Sequence, residues 1–259
     1  MCANHHSDAI HDTAQAARAA PRSRWRALLA LFCVTAFAAP APAAVIYDAG
    51  LNTLPSAQGF AFLSLPPGAV QSVAGGVYTL DTTASSSISA GSSRADLPLD
   101  MDQGIRLTIR MRVVSESHST SDRAGFSIIL VGSDPTRALE LAFWDNEVWY
   151  YPSAAFTHGS GYALHTSSAF HTYALDLVGS AFALRVDGAP ALSGSLVDYS
   201  GFGFPYNVPN FLFFGDDTSS ASARVEISQI TLSALPLPGA SWLLGAGLLA
   251  WHWRRRAAR

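Results

Sequence analysis

The sequence predicts an all-β domain, a sandwich or barrel, between residues 44 and 234. Three observations carry that expectation. No part of the stretch keeps the apolar period of a long helix. Short runs rich in β-branched, aromatic and leucine residues recur instead, separated by Gly, Pro, Ser and Asp. One of these runs ends in Asp187-Gly188, a strong tight-turn pair. About 190 residues suit one such domain, since all-β folds often run to this size as a unit.

Taken in order, Gly104–Val114 alternates polar and apolar residues. Ile105, Leu107, Ile109, Met111 and Val113 share the face expected to be buried, and Arg106, Thr108, Arg110 and Arg112 face water or acidic neighbours. Phe126–Val131 is a continuous apolar run, expected to be more deeply buried. Ala138–Trp144 and Thr172–Val178 alternate again, and Ala181–Val186 leads into the Asp187-Gly188 turn. Arg224–Leu232 is the last expected strand. Ser85–Ser93, rich in serine, is expected to be a polar loop.

The segments on either side are of another kind. Arg22, Arg24 and Arg26 precede an apolar run from Ala27 to Phe37, followed by an Ala/Pro zone in which Ala41-Pro42-Ala43 has the small-x-small cleavage pattern. Basic flank, apolar run and small-residue site are the parts of a signal peptide, so residues 1–43 are expected to be a leader with an extended basic region. Phe32 before Cys33 argues against lipoprotein processing there. At the other end, Pro236-Leu237-Pro238 precedes an apolar stretch from Ala240 to Trp253 and the cluster Arg254, Arg255, Arg256, with Arg259 last. As a helix the 14 residues would span about 21 Å, short of a hydrocarbon core of about 30 Å.

Pro-x-Pro, a short Leu/Gly/Ala helix and a terminal arginine cluster resemble the PEP-CTERM sorting signal processed by exosortases. Pro236-Leu237-Pro238 is similar to the Val-Pro-Leu-Pro-Ala variant, with Leu235 for the valine and Gly239 for the alanine. Residues 235–259 are thus expected to be a sorting signal with a transmembrane helix and arginine tail. The resemblance implies an exosortase-type processing enzyme as partner, brief residence in the inner membrane, and then the cell surface or extracellular matrix. The domain between the ends resembles the concanavalin A-like (laminin G-like) jelly roll. Phe170–Gly188 looks like that fold's hairpin, and Phe211–Thr218 with Arg224–Leu232 looks like its closing pair.

Composition narrows the function. The chain has 259 residues, no lysine, and a net charge of −3. Eight arginines against 17 acidic residues leave the middle domain with nine negative charges. Such a surface repels a phosphate backbone, which excludes nucleic acid as partner and leaves room for calcium. Both cysteines, Cys2 and Cys33, precede the domain, so it holds neither a disulfide nor a thiol nucleophile.

Catalytic patterns fail one by one. Family 16 glycoside hydrolases carry Glu-x-Asp-x-x-Glu on one strand. Here Glu140 and Asp145 stand with Ala142 in the central place. Glu140 is then expected to be a solvated strand residue without a partner, and Asp145-Asn146 a turn. His118, His158, His165 and His171 lack metal-ligand spacing, and no Gly-x-Ser-x-Gly elbow occurs. No catalytic residue is assigned. Asp216 and Asp217 are the candidate calcium ligands, with Asp134, Asn210 or Asp145-Asn146 as helpers. The candidate sugar-binding residues are Trp144, Asp145, Asn146, Trp149 and Tyr151, because sugar rings stack on aromatic faces while carboxylates and amides take their hydroxyls. Strand alternation puts Trp149 and Tyr151 on one face and Tyr150 on the other. Phe202, Phe204 and Tyr206 form a second aromatic group. The expected function is a non-enzymatic polysaccharide-binding module. Glycoside hydrolase and purely structural matrix protein are the alternatives.

Overall fold

The computed structural model describes residues 43–235, which form two antiparallel sheets packed face to face. The expected helix at 240–253, the leader and the sorting signal lie outside the described residues. Among the described residues no helix is long and apolar enough to cross a membrane.

The strands are β1 (Ala44–Asp48), β2 (Ala61–Leu65), β3 (Val70–Ala74), β4 (Val77–Asp81), β5 (Ser89–Arg94), β6 (Ile105–His118), β7 (Ser127–Val131) and β8 (Ala138–Phe143). They continue as β9 (Glu147–Tyr150), β10 (Gly161–Ala163), β11 (His171–Val178), β12 (Ala181–Val186), β13 (Ala189–Ser195), β14 (Phe211–Asp216) and β15 (Ala221–Ala234). The first sheet runs β13-β12-β11-β6-β15-β4-β3, with β1 also pairing β15. The second runs β10-β9-β8-β7-β14-β5-β2. This is the expected jelly-roll sandwich.

The alternation in β6 does what it predicts. Ile105, Leu107, Ile109, Met111 and Val113 are all buried. On the other face Arg106 pairs with Asp176 of β11 at 2.5 Å, and Arg112 with Glu226 of β15 at 2.8 Å. Asp176 also receives Arg185 of β12 at 2.7 Å. The first two pairs sit directly opposite one another in the ladder, while Arg185 reaches Asp176 diagonally from opposite Ala174, and all three fix register more than they add stability. Asp187 and Gly188 both take positive φ, 50° and 84°, as a two-residue hairpin turn requires.

The serine-rich loop expectation is corrected. Ser89–Arg94 is β5, hydrogen-bonded between β14 and β2. Its small residues answer a packing demand. A Cβ on Gly91 would come within 2.3 Å of the Phe213 ring, which lies across that backbone. Composition alone cannot tell such a strand from a loop.

Two apolar layers result. The inner one fills the space between the sheets, with Leu107, Ile109 and Leu175 facing Ile128, Leu141 and Phe214. The second lies on the outer face of the second sheet, where Ile129, Val131, Ala142, Trp149 and Tyr151 are roofed by Tyr199 and Tyr206. The roof is tied down by a backbone bridge between Ala138 and Val197 and by the Tyr199 hydroxyl, which donates to the Tyr151 carbonyl at 2.6 Å. Alternation thus buries both faces of β8, whose six residues are all enclosed. That second layer frames the site.

Candidate functional site

Glu140, Ala142 and Ala138 point to the outer face of the second sheet, opposite the inner Leu139 and Leu141. Glu140 faces Ile129 of β7 in the ladder, and Ile129 faces Phe213 of β14. In the adjoining register, Gly91, Gly215, Ser127 and Ala142 succeed one another across β5, β14, β7 and β8. No side chain in that row is larger than serine. Beside it opens a polar hollow of about 290 Å³, lined by Glu140, Tyr206, Asp217, Arg123 and Tyr151 among others. Ligand sites usually run from about 300 to 1,000 Å³, so the hollow fits one small polar group or sugar ring.

The expectation that Glu140 is solvated and unpartnered is overturned. It is 2% exposed, and the Tyr206 hydroxyl donates to its Oε2 at 2.5 Å. The Asp217 carboxyl lies within hydrogen-bonding reach. Burial, and then the Asp217 charge, push the Glu140 carboxyl well above its usual range. Asp217 is also raised by loss of water around its carboxyl, against which Ser127, Glu140 and Arg123 hold its charge. Their mutual hydrogen bond raises Glu140 and lowers Asp217, so it favours the proton on Glu140. The Tyr206 hydroxyl and the Asp217 carboxyl thus both meet Glu140. The Ser127 hydroxyl is buried and has no hydrogen-bond partner among the described residues.

Arg123 stands at the side of the hollow. Its Nη1 donates to the carbonyls of Asp122 at 2.6 Å and Phe156 at 3.0 Å. Its own carbonyl accepts from Trp144 Nε1 at 2.8 Å, and the Tyr151 hydroxyl donates to the Asp122 carbonyl at 2.8 Å. These bonds pin the segment between β6 and β7 against the sheet.

The five predicted sugar contacts do not gather. Tyr151 lines the hollow. Trp149 is fully enclosed, wedged against Tyr151 at 4.7 Å and His158 at 4.3 Å, so neither ring face is free to stack a sugar. Trp144 is half-buried, stacked on His118 at 4.3 Å, and close to His158. Asp145 and Asn146 form the expected turn between β8 and β9, away from the hollow's lining, and their carbonyls accept from Thr166 and Leu164. A covered sheet face buries what alternation alone would leave open.

Asp216 and Asp217 also separate, because neighbours on extended backbone point to opposite faces. Asp216 turns into the protein, where Thr82 Oγ1 donates to it at 2.9 Å and Thr218 N at 3.0 Å. Burial raises its pKa to about 8. Asp134 is taken up by Thr136 at 2.8 Å, and Asn210 accepts from Leu99 N at 3.2 Å. Among the described residues no three His, Cys, Asp or Glu side chains assemble as a metal group.

Sequence reasoning missed Arg123, Tyr206 and Asp217 as partners of Glu140. Tyr206 lies 66 residues from Glu140, and no spacing rule connects them. Chemically, the two carboxyls stand in contact. Glycosidase carboxyls flank a sugar bond at about 5–5.5 Å or about 6.5–9.5 Å, whereas these two lie within hydrogen-bonding reach of each other. The hollow's lining includes Thr218, Ser219 and Ser220 but no histidine to activate them. What the arrangement offers is a set of fixed hydrogen-bond donors and acceptors.

No protein-family model and no curated protein matches the sequence. Among solved structures the chain is similar to the conserved carbohydrate esterase from the Shiga toxin-encoding bacteriophage phi24B. The TM-score is 0.57 at 15% identity, covering 75% of this chain and 100% of that one. It is also similar to a protein of unknown function with a galectin-like fold from Bacillus subtilis, with TM-score 0.50, 12% identity, and coverage of 74% and 96%. At such identities the likeness establishes the sandwich fold.

Proposed function

We propose that this chain is an exported carbohydrate-binding module, and that its ligand sits in the Glu140–Tyr206–Asp217 hollow. The observation that carries this reading is the enclosed Glu140, held by the Tyr206 hydroxyl and facing the same hollow as Asp217 and Arg123. A neutral acid, a carboxylate, a phenol and a guanidinium within one ring-sized hollow supply both donors and acceptors, as sugar hydroxyls require. The closeness of the two carboxyls disfavours glycoside hydrolysis. A solved structure of similar fold is named a carbohydrate esterase, which agrees with a sugar-directed role without assigning a reaction here.

Asp217→Ala tests it. Asp217 is exposed, so its loss leaves the fold intact, while removal of a charged acceptor is expected to weaken binding about ten-fold or more. The measurement is titration of a panel of neutral and acidic polysaccharides with wild type and variant. Equal affinities, or no binding across the panel, would reject the hollow as a sugar site.

Export rests on the sequence of the two ends. The leader 1–43 and the tail 235–259, with Pro236, Pro238 and Arg254–Arg256, support sorting by a PEP-CTERM-like route through the inner membrane, with an exosortase-type enzyme as partner. Deleting residues 235–259 in the host is expected to move the protein out of the surface and matrix fraction into the soluble periplasm. An unchanged surface fraction on cell fractionation counts against that route.

A further inference from the structure

A second hollow adjoins the first and shares Asp217 with it. It measures about 210 Å³ and lies over β2, β5 and β14, lined chiefly by Leu63, Leu65, Phe204, Phe211 and Phe213. β2 alternates so that Leu63 and Leu65 are 57% and 58% exposed. Phe204 is 72% exposed, yet its ring is braced edge-on against the buried Phe211 at 5.9 Å. An apolar trough therefore runs into a polar hollow along one sheet face. From β2 through β5, β14 and β7 to β8 there are four strand spacings of about 4.8 Å, or roughly 19 Å. That exceeds one sugar ring.

We infer that the site takes a neutral β-linked hexopyranose chain lying across the strands, with Phe204 stacking on a ring in the apolar trough. The inference rests on the proposal that the adjoining hollow binds sugar. An equatorially substituted pyranose shows an apolar C–H face to an aromatic ring and keeps its hydroxyls at the edge, which matches a trough of Leu and Phe side chains rimmed by Ser89 and Ser93. Charge decides between neutral and acidic chains. No basic residue lines the trough, Asp217 stands at the junction, and the domain carries nine negative charges, so a uronate chain would be repelled along its length. Arg123, at the far side, spends its Nη1 on two backbone carbonyls.

The test is calorimetric titration of the full protein with cello-oligosaccharides from cellobiose to cellohexaose, for wild type, Phe204→Ala, Phe204→Trp and Asp217→Ala. In wild type, affinity is expected to rise roughly five- to ten-fold between cellobiose and cellotetraose and then level off. Phe204→Ala is expected to remove that rise, while Phe204→Trp restores it. Affinity that does not depend on length, or a rise that survives Phe204→Ala, overturns the chain inference and leaves the hollow as a sugar site. Binding of acidic polysaccharide alone overturns the neutral-chain assignment. An Asp217→Ala affinity equal to wild type at every length overturns the underlying reading instead.

Discussion

Trp149→Ala is expected to cost the domain roughly 3–5 kcal/mol of stability, the range for deleting a large enclosed aromatic. Trp149 is among the largest fully buried side chains and sits at the centre of the outer-face layer. Its ring meets Trp144 at 5.6 Å, Tyr151 at 4.7 Å and His158 at 4.3 Å, so the cavity opens beneath three neighbours at once. Trp149→Phe should cost much less, because the indole nitrogen has no hydrogen-bond partner to lose. Urea unfolding of the two variants beside wild type measures the difference. A Trp149→Ala protein that unfolds with wild type would mean that this layer contributes nothing, and the roof over the second sheet would have to be redrawn. Weakened glycan binding in that variant would follow from displacement of Tyr151, which the tryptophan supports from beside the hollow.

Asp216→Asn is expected to flatten the dependence of stability on pH between about 4 and 8. The sign follows from the direction of the shift. Burial raises Asp216 from 3.8 to about 8, so the folded chain holds its proton across a window in which the unfolded chain has released it. Stability from this group is full below the unfolded value and falls as pH rises, by up to about 1.4 kcal/mol per pH unit, until the folded carboxyl also ionises. Glu140 acts in the same sense. Asp176 and Asp187 act in the opposite one. Burial pushes both up, but hydrogen bonds from Arg106 and Arg185 hold Asp176 low, and His171 with Thr172 N holds Asp187 low, so their contributions disappear as pH falls below about 4. Wild-type stability should therefore peak on the acid side of neutrality. Asparagine stays neutral at every pH, and its oxygen can still accept from Thr218 N while its amide donates to Thr82 Oγ1. Parallel pH profiles for wild type and Asp216→Asn in urea unfolding would sink the assignment.

The sequence by itself determined the architecture and the charge. Strands such as β6, β11 and β12 are legible because a period-2 pattern and a tight-turn pair are local properties, written within ten or so residues. The acidic balance of the domain is likewise a count. β5 escaped because Gly91 and its serine neighbours are small in order to admit the Phe213 ring, and the partner that demands smallness lies on another strand. The site escaped for the same reason on a larger scale. Glu140 comes from β8, Tyr206 from the roof, Asp217 from the end of β14 and Arg123 from the segment before β7. Alternation put Trp149 and Tyr151 on one face and Tyr150 on the other. Whether the Trp149 face meets water depends on Tyr199 and Tyr206 folding over it, and only tertiary structure decides that. Burial then turned an expected surface glutamate into an enclosed acid with a raised pKa and an expected stacking tryptophan into core, because desolvation and ring contacts act between segments that the chain order keeps far apart.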